Sequence, residues 1–193
     1  MGKSVLLKRF LHDLSGPQWE PVYLHLTHLP AAGLLKLLVG KLGEVPRRGK
    51  DRLFEQILEK ARQAGIGAII AVGENLTDAR KNLELAQKHP ILKPAAGLYP
   101  THLDLNQAHQ IADFLRRQQS WLVAIGEVGL DYWVVKEDAK RELQREILKI
   151  FIELSKELNL PLNIHSRSAG RHAIALLLEN DAARVQMHAF DGK

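Results

Sequence analysis

The sequence predicts an α/β fold: part of a TIM-type (β/α) barrel with parallel strands, preceded by a short α/β segment. Two observations predict it. From Phe54 onward, short apolar runs alternate with stretches whose apolar residues recur at helical spacing, the pattern of repeated βα units on a parallel sheet. Each apolar run also ends in a polar or conformationally special group: Gly73-Glu74, Tyr99-Pro100, Glu127, His165-Ser166-Arg167 and His188. In a barrel of this type the C-terminal ends of the strands converge on one face, so residues far apart in sequence can meet in one pocket.

The elements follow in order. GKSVLLKRFLHDLSG places Val5, Leu6, Phe10, Leu11 and Leu14 on one helical face, EPVYLHL alternates Val22, Leu24 and Leu26 as a strand does, and LPAAGLLKLLVGKLG reads as a helix. Pro46-Arg47-Arg48-Gly49-Lys50-Asp51 has the composition of a linker and divides the chain into segments 1–50 and 51–193. In the second segment Phe54, Ile57, Leu58 and Ala61 form a helical stripe that stops at Gly65, and IGAIIAVG follows as a strand buried on both faces. Thr77 caps a helix running to Lys88, ahead of an extended KPAAGL. Asn106 to Gln119 is a helix before the strand WLVAIG. Asp138 to Asn159 is a long amphipathic helix before LPLNIH, and Ser168 to Asn180 a helix before RVQMHAF. That order gives five strands.

Composition narrows the chemistry. There is no cysteine, so disulfides, thiolate metal sites and thiol nucleophiles are excluded, and a metal must be held by His and carboxylate. No apolar run approaches the roughly 20 residues that span a bilayer, and the start MGKSVLLKRFLHDL carries charge on both sides of its apolar residues, unlike a cleavable signal. The expectation is a soluble cytoplasmic chain without membrane partners. The net charge of +5 permits a polyanionic partner, and it sits at the front, where residues 1–60 hold 10 Lys and Arg against 6 Asp and Glu.

Glu127, His165 and His188 each follow an apolar strand run directly. Any one of them reads equally well as a hydrogen-bonded polar group at a strand end. Three at equivalent places favour a site, and two imidazoles with a carboxylate suit a divalent ion, Mg, Mn or Zn, that activates water. His12, His89, His102, His109 and His172 fall in helices or loops and read as surface residues. The aromatics are too scattered along the chain for a base-stacking platform.

VAIGEVGLD, NIHSRSAG and MHAFDG, taken together and in this order, resemble the glutamate signature, the His-x-Arg-x-Ala segment and the late His-x-Phe-x-Gly segment of the TatD family of metal-dependent deoxyribonucleases. The resemblance runs from about residue 53 to 193. It implies a TIM-barrel-like hydrolase that cleaves DNA phosphodiesters with one or two divalent ions, with Glu127 as a shared carboxylate ligand and His165 and His188 as imidazole ligands. Arg167 is similarly placed to contact substrate phosphate as a forked donor. Asp131 is read as orienting the loop or a ligand's partner rather than holding metal, and Asp191 is a candidate that reads equally well as a turn residue before Gly192.

The departures carry expectations of their own. The family's opening Asp-x-His-x-His and its closing aspartate are absent, and its Gly-x-His-Pro reads Gly97-Leu98-Tyr99-Pro100, which puts Tyr99 where a substrate-contacting histidine stands. His25 and His28 do not replace the opening pair, because residues three apart lie on opposite faces of a strand. A complete barrel takes roughly 250 residues. The expectation is therefore a single ion, weak or absent nuclease activity, and self-association through open sheet edges. The alternative is a non-catalytic fusion fragment that binds DNA or protein. Residues 1–51 resemble, more weakly, part of an AAA-type ATPase, with Gly2-Lys3-Ser4 as the tail of a phosphate loop in which Lys3 and Ser4 would meet nucleotide.

Overall fold

A computed structural model describes residues 30–190. Lys3, Ser4, His12, His25, His28, Asp191 and the expected strand at Val22–Leu26 lie outside the described residues. The chain divides into two compact units, Met1–Gly67 and Ala68–Lys193.

In the first unit, α1 (Ala31–Lys41) begins directly after Pro30 and packs on α2 (Lys50–Gln63). Leu53, Leu58 and Ala61 of α2 are buried, as their spacing requires. Gln56 is buried among them because it has work to do: its amide donates to the Val45 carbonyl at 3.0 Å and accepts from the Arg47 amide at 2.8 Å, which fastens the connecting segment to the helix. The expected boundary at residue 50 thus falls at the start of α2, and the division between compact units falls after that helix.

The second unit alternates strand and helix: β1 (Ile69–Gly73), α3 (Leu76–Lys88), β2 (Leu92–Ala96), α4 (Leu105–Arg117), β3 (Ala124–Asp131), α5 (Asp138–Leu158), β4 (Leu162–Arg167), α6 (Gly170–Glu179) and β5 (Val185–His188). The five strands are parallel and stand in chain order, β1-β2-β3-β4-β5, an arc of the TIM-barrel type. Ile125, Val128, Leu130, Leu162 and Ile164 project from one face into a core shared with Ile111 and Leu115 of α4, Leu148, Phe151 and Ile152 of α5, and Leu176 of α6. Full burial of such side chains contributes about 1.5–3 kcal/mol each.

Side chains of opposite parity occupy the other face. Asn163 pairs in register with Gln186, and His165 with His188. That face explains a correction in β1. The strand is expected to be buried on both sides, yet Ile70 is 55% and Val72 37% exposed, because they lie on the face that the core-forming helices do not cover. A second correction concerns α3: Asn75, not Thr77, is its N-cap, accepting from the Asp78 amide at 3.0 Å. Asp104 caps α4 in the same way through the Gln107 amide at 3.0 Å.

Candidate metal centre

The site begins with an irregularity in β3. The strand is expected to end at Gly126, because a glycine followed by a charge reads as the start of a loop; instead it continues through Glu127 to Asp131. Its pairing with β4 slips on the way. Ile125 pairs with Leu162 and Val128 with Ile164, so three steps along β3 match two along β4. A bulge of this kind re-aims a side chain, and the residues it re-aims are Gly126 and Glu127.

The flanking glycines are required by how closely the two strands approach. Gly126 and Gly129 hold φ of 148° and 146°, backbone that side chains rarely adopt. A Cβ on Gly126 would sit 2.6 Å from the Asn163 carbonyl oxygen, and one on Gly129 would run into the His165 carbonyl oxygen. Glycine on either side of the charge therefore lets β4 carry His165 against Glu127.

His165 is buried between two carboxylates. Its Nδ1 lies 2.6 Å from Glu127 Oε1 and its Nε2 3.2 Å from Asp131 Oδ2. Burial opposes the charged imidazole, but the hydrogen bonds and charges of Glu127 and Asp131 together outweigh it and hold the pKa above the ordinary value of 6.5. His188 stands at the next strand end with Nε2 3.5 Å from the same Glu127 Oε1, and the two imidazole rings are 5.8 Å apart. One ligand atom each from Glu127, His165 and His188 falls within 4.8 Å of the others. Cation–ligand bonds of about 2.0–2.2 Å require donors gathered on that scale, so the donor set fits a divalent ion.

Asp131 is fully buried and does more than accept from His165. Its Oδ1 accepts from the Val134 amide at 2.9 Å and closes the turn after β3. Its own amide donates to Gln144 Oε1 at 3.3 Å, and Gln144 Nε2 donates to the Pro100 carbonyl at 2.7 Å. The sequence marks Gln144 only as a polar residue in line with Ile147, Leu148 and Phe151 on the buried face of α5. Tyr99 meets the His165 ring edge-on at 5.1 Å. Burial, then the charges of Asp131 and Glu127, push its phenol pKa up and keep it protonated.

The structure thus brings Glu127, His165, His188 and Asp131 together. Arg167 is outside that donor group, exposed at the end of β4 with its guanidinium carbon 5.2 Å from the Trp133 ring centroid, and its charge reaches Tyr99, where it opposes the rise in the phenol pKa. His102, His109 and His172 are exposed, as expected of surface residues.

A family model described as TatD related DNase matches residues 45–193. The human protein named deoxyribonuclease TATDN3 is 36% identical over 155 residues, which cover 74% of this chain and 57% of that one. The Erwinia amylovora protein named 3'-5' ssDNA/RNA exonuclease TatD is 33% identical over 148 residues, covering 74% of this chain and 55% of its own. Among solved structures, the Escherichia coli TatD homologue YJJV aligns with a TM-score of 0.64 and 31% identity over 72% of this chain and 55% of that chain. The chain spans about half the length of the curated relatives it matches. None of these matches supports the ATPase resemblance of residues 1–51.

Proposed function

The chain belongs to the TatD-related DNase family, and from that premise we propose that it is a divalent-metal-dependent hydrolase of DNA phosphodiesters whose site is Glu127, His165 and His188, with the hydrolase region at about residues 51–193. The observation that carries the reading is the gathering of those three ligand atoms, one from each of the neighbouring strands β3, β4 and β5, within 4.8 Å.

A divalent ion bound there would polarise the phosphoryl oxygens and acidify a water. The chain's own residues prepare the place. Asp131 accepts the Nε2 proton of His165, which turns Nδ1 toward Glu127, the arrangement in which a ligating imidazole is oriented by a carboxylate on its far side. Glu127 contributes the formal negative charge among the three donors. Arg167, solvent-exposed and forked, is suited to take a phosphate of the strand as it reaches the cluster. Among the described residues the one such donor group supports a single ion per chain. β1 and β5 each pair along one side only among the described strands, which supports self-association through the sheet edges.

The test is cation binding by calorimetry with Mn2+ or Zn2+, together with metal-dependent release of nucleotides from single-stranded DNA. Glu127→Ala should weaken the cation at least tenfold and abolish release. Equal cation affinity in mutant and parent would remove the site from the proposal. Nucleotide-binding Lys3 and Ser4 gain no support from any observation above.

A further inference from the structure

We infer that Trp133, bracketed by Arg167 and Lys136, is a stacking shelf for an unpaired nucleobase beside the carboxylate and imidazole cluster. The choice of ligand rests on the phosphodiester reading above; the shelf itself rests on geometry. Trp133 is 57% exposed in the turn after β3. The Arg167 guanidinium carbon lies 5.2 Å and the Lys136 ammonium 5.3 Å from its ring centroid. Two cations on one exposed indole place positive charge where a phosphate backbone would pass and leave a π surface that any base can use.

The shelf is anchored to the site. The Asp131 carboxylate that accepts from His165 also holds the Val134 amide at 2.9 Å, the Tyr132 amide donates to the Arg167 carbonyl at 3.1 Å, and Lys136 Nζ donates to the Tyr132 carbonyl at 3.1 Å. The ring is thus two residues beyond a side chain that touches His165, and Arg167 is two residues beyond His165 on the paired strand. Stacking by a base is worth more than an exposed contact between a cation and a ring, so an arriving base can displace a cation from the indole face, and the freed guanidinium can fork onto the adjacent phosphate. Scattered aromatics do exclude an extended platform, but one ring suffices for one base.

The experiment uses the full chain and a fluorescein-labelled oligothymidylate in EDTA, read by anisotropy, with Mn2+ affinity measured separately by calorimetry. Trp133→Ala should weaken oligonucleotide binding about 5- to 100-fold, Trp133→Phe should recover most of the loss, and neither should alter Mn2+ affinity. With Trp19 and Trp121 replaced by Phe, the oligonucleotide should quench the remaining indole. Affinity unchanged in Trp133→Ala, a Phe variant as weak as the Ala variant, equal affinity for a fully paired duplex, or no oligonucleotide binding by the parent would each overturn the shelf. Mn2+ binding that survives Glu127→Ala, alongside Trp133-dependent oligonucleotide binding, would instead overturn the metal site and leave the shelf standing.

Discussion

Nδ1 of His165 is where a proton and the proposed cation compete. With Glu127 at 2.6 Å from Nδ1 and Asp131 at 3.2 Å from Nε2, the doubly protonated imidazole satisfies both carboxylates when no ion is bound. Its folded-state pKa is raised above 6.5. The stabilisation it supplies is therefore fully present below the unfolded value and is lost as pH rises through the higher folded value. A divalent cation competes with the Nδ1 proton, so its affinity rises across the same interval and its binding releases a proton. As pH rises from the ordinary imidazole value through the raised folded value, the melting temperature should fall in EDTA while the increment given by Mn2+ grows; His165→Gln should flatten both trends. Parallel curves with and without Mn2+ would mean the imidazole is not a ligand. Asp131→Asn removes the charge behind His165 and should weaken the cation roughly 10- to 100-fold, with the His165 imidazole titrating at a lower pH by NMR.

At the scale of elements, β3 decides how the site is built. Gly129 holds φ of 146° against the His165 carbonyl, so Gly129→Ala must push β4 away or distort the strand; a loss of about 3 kcal/mol in urea unfolding is expected. Helix α3 offers a cleaner contrast, since Asn75→Ala should cost about 1 kcal/mol whereas Thr77→Ala should cost almost nothing. Equal losses at both would restore Thr77 as the cap. These elements also mark how far the sequence could be read. The five strands, their parallel order and the polar residues Glu127, His165 and His188 that follow apolar runs are legible, because apolar runs and helical stripes alternate without ambiguity. The continuation of β3 to Asp131 is not, because a glycine on each side of a charge looks like a loop unless the approach of β4 is known. Nor could Ile70 and Val72 be told from core residues: an apolar run does not say which of its faces a helix will cover. The sequence sets Asp131 apart from the three donors as an orienting residue, but its partner Gln144 sits on a helix thirteen residues on and is tied to it only by folding.

For the whole molecule, stability and site are coupled through the helix-covered face of the sheet. Phe151 is fully buried where α5 meets that face, and Phe151→Ala should cost about 3–5 kcal/mol, a large part of the roughly 5–15 kcal/mol that holds a domain folded. Cation binding should then be lost with the cooperative transition rather than before it, as paired thermal melts and Mn2+ titrations would show. The order of the strands has a consequence for the making of the protein. Because β1 to β5 lie side by side in the order in which they are synthesised, each new strand docks on its predecessor as it leaves the ribosome, and no gap has to be kept open for a later arrival. The donors arrive in that order too: Glu127 on the third strand, His165 on the fourth, His188 on the fifth. A nascent chain can thus fold most of this core before it can gather the three donors, and metal capture waits for the fifth strand.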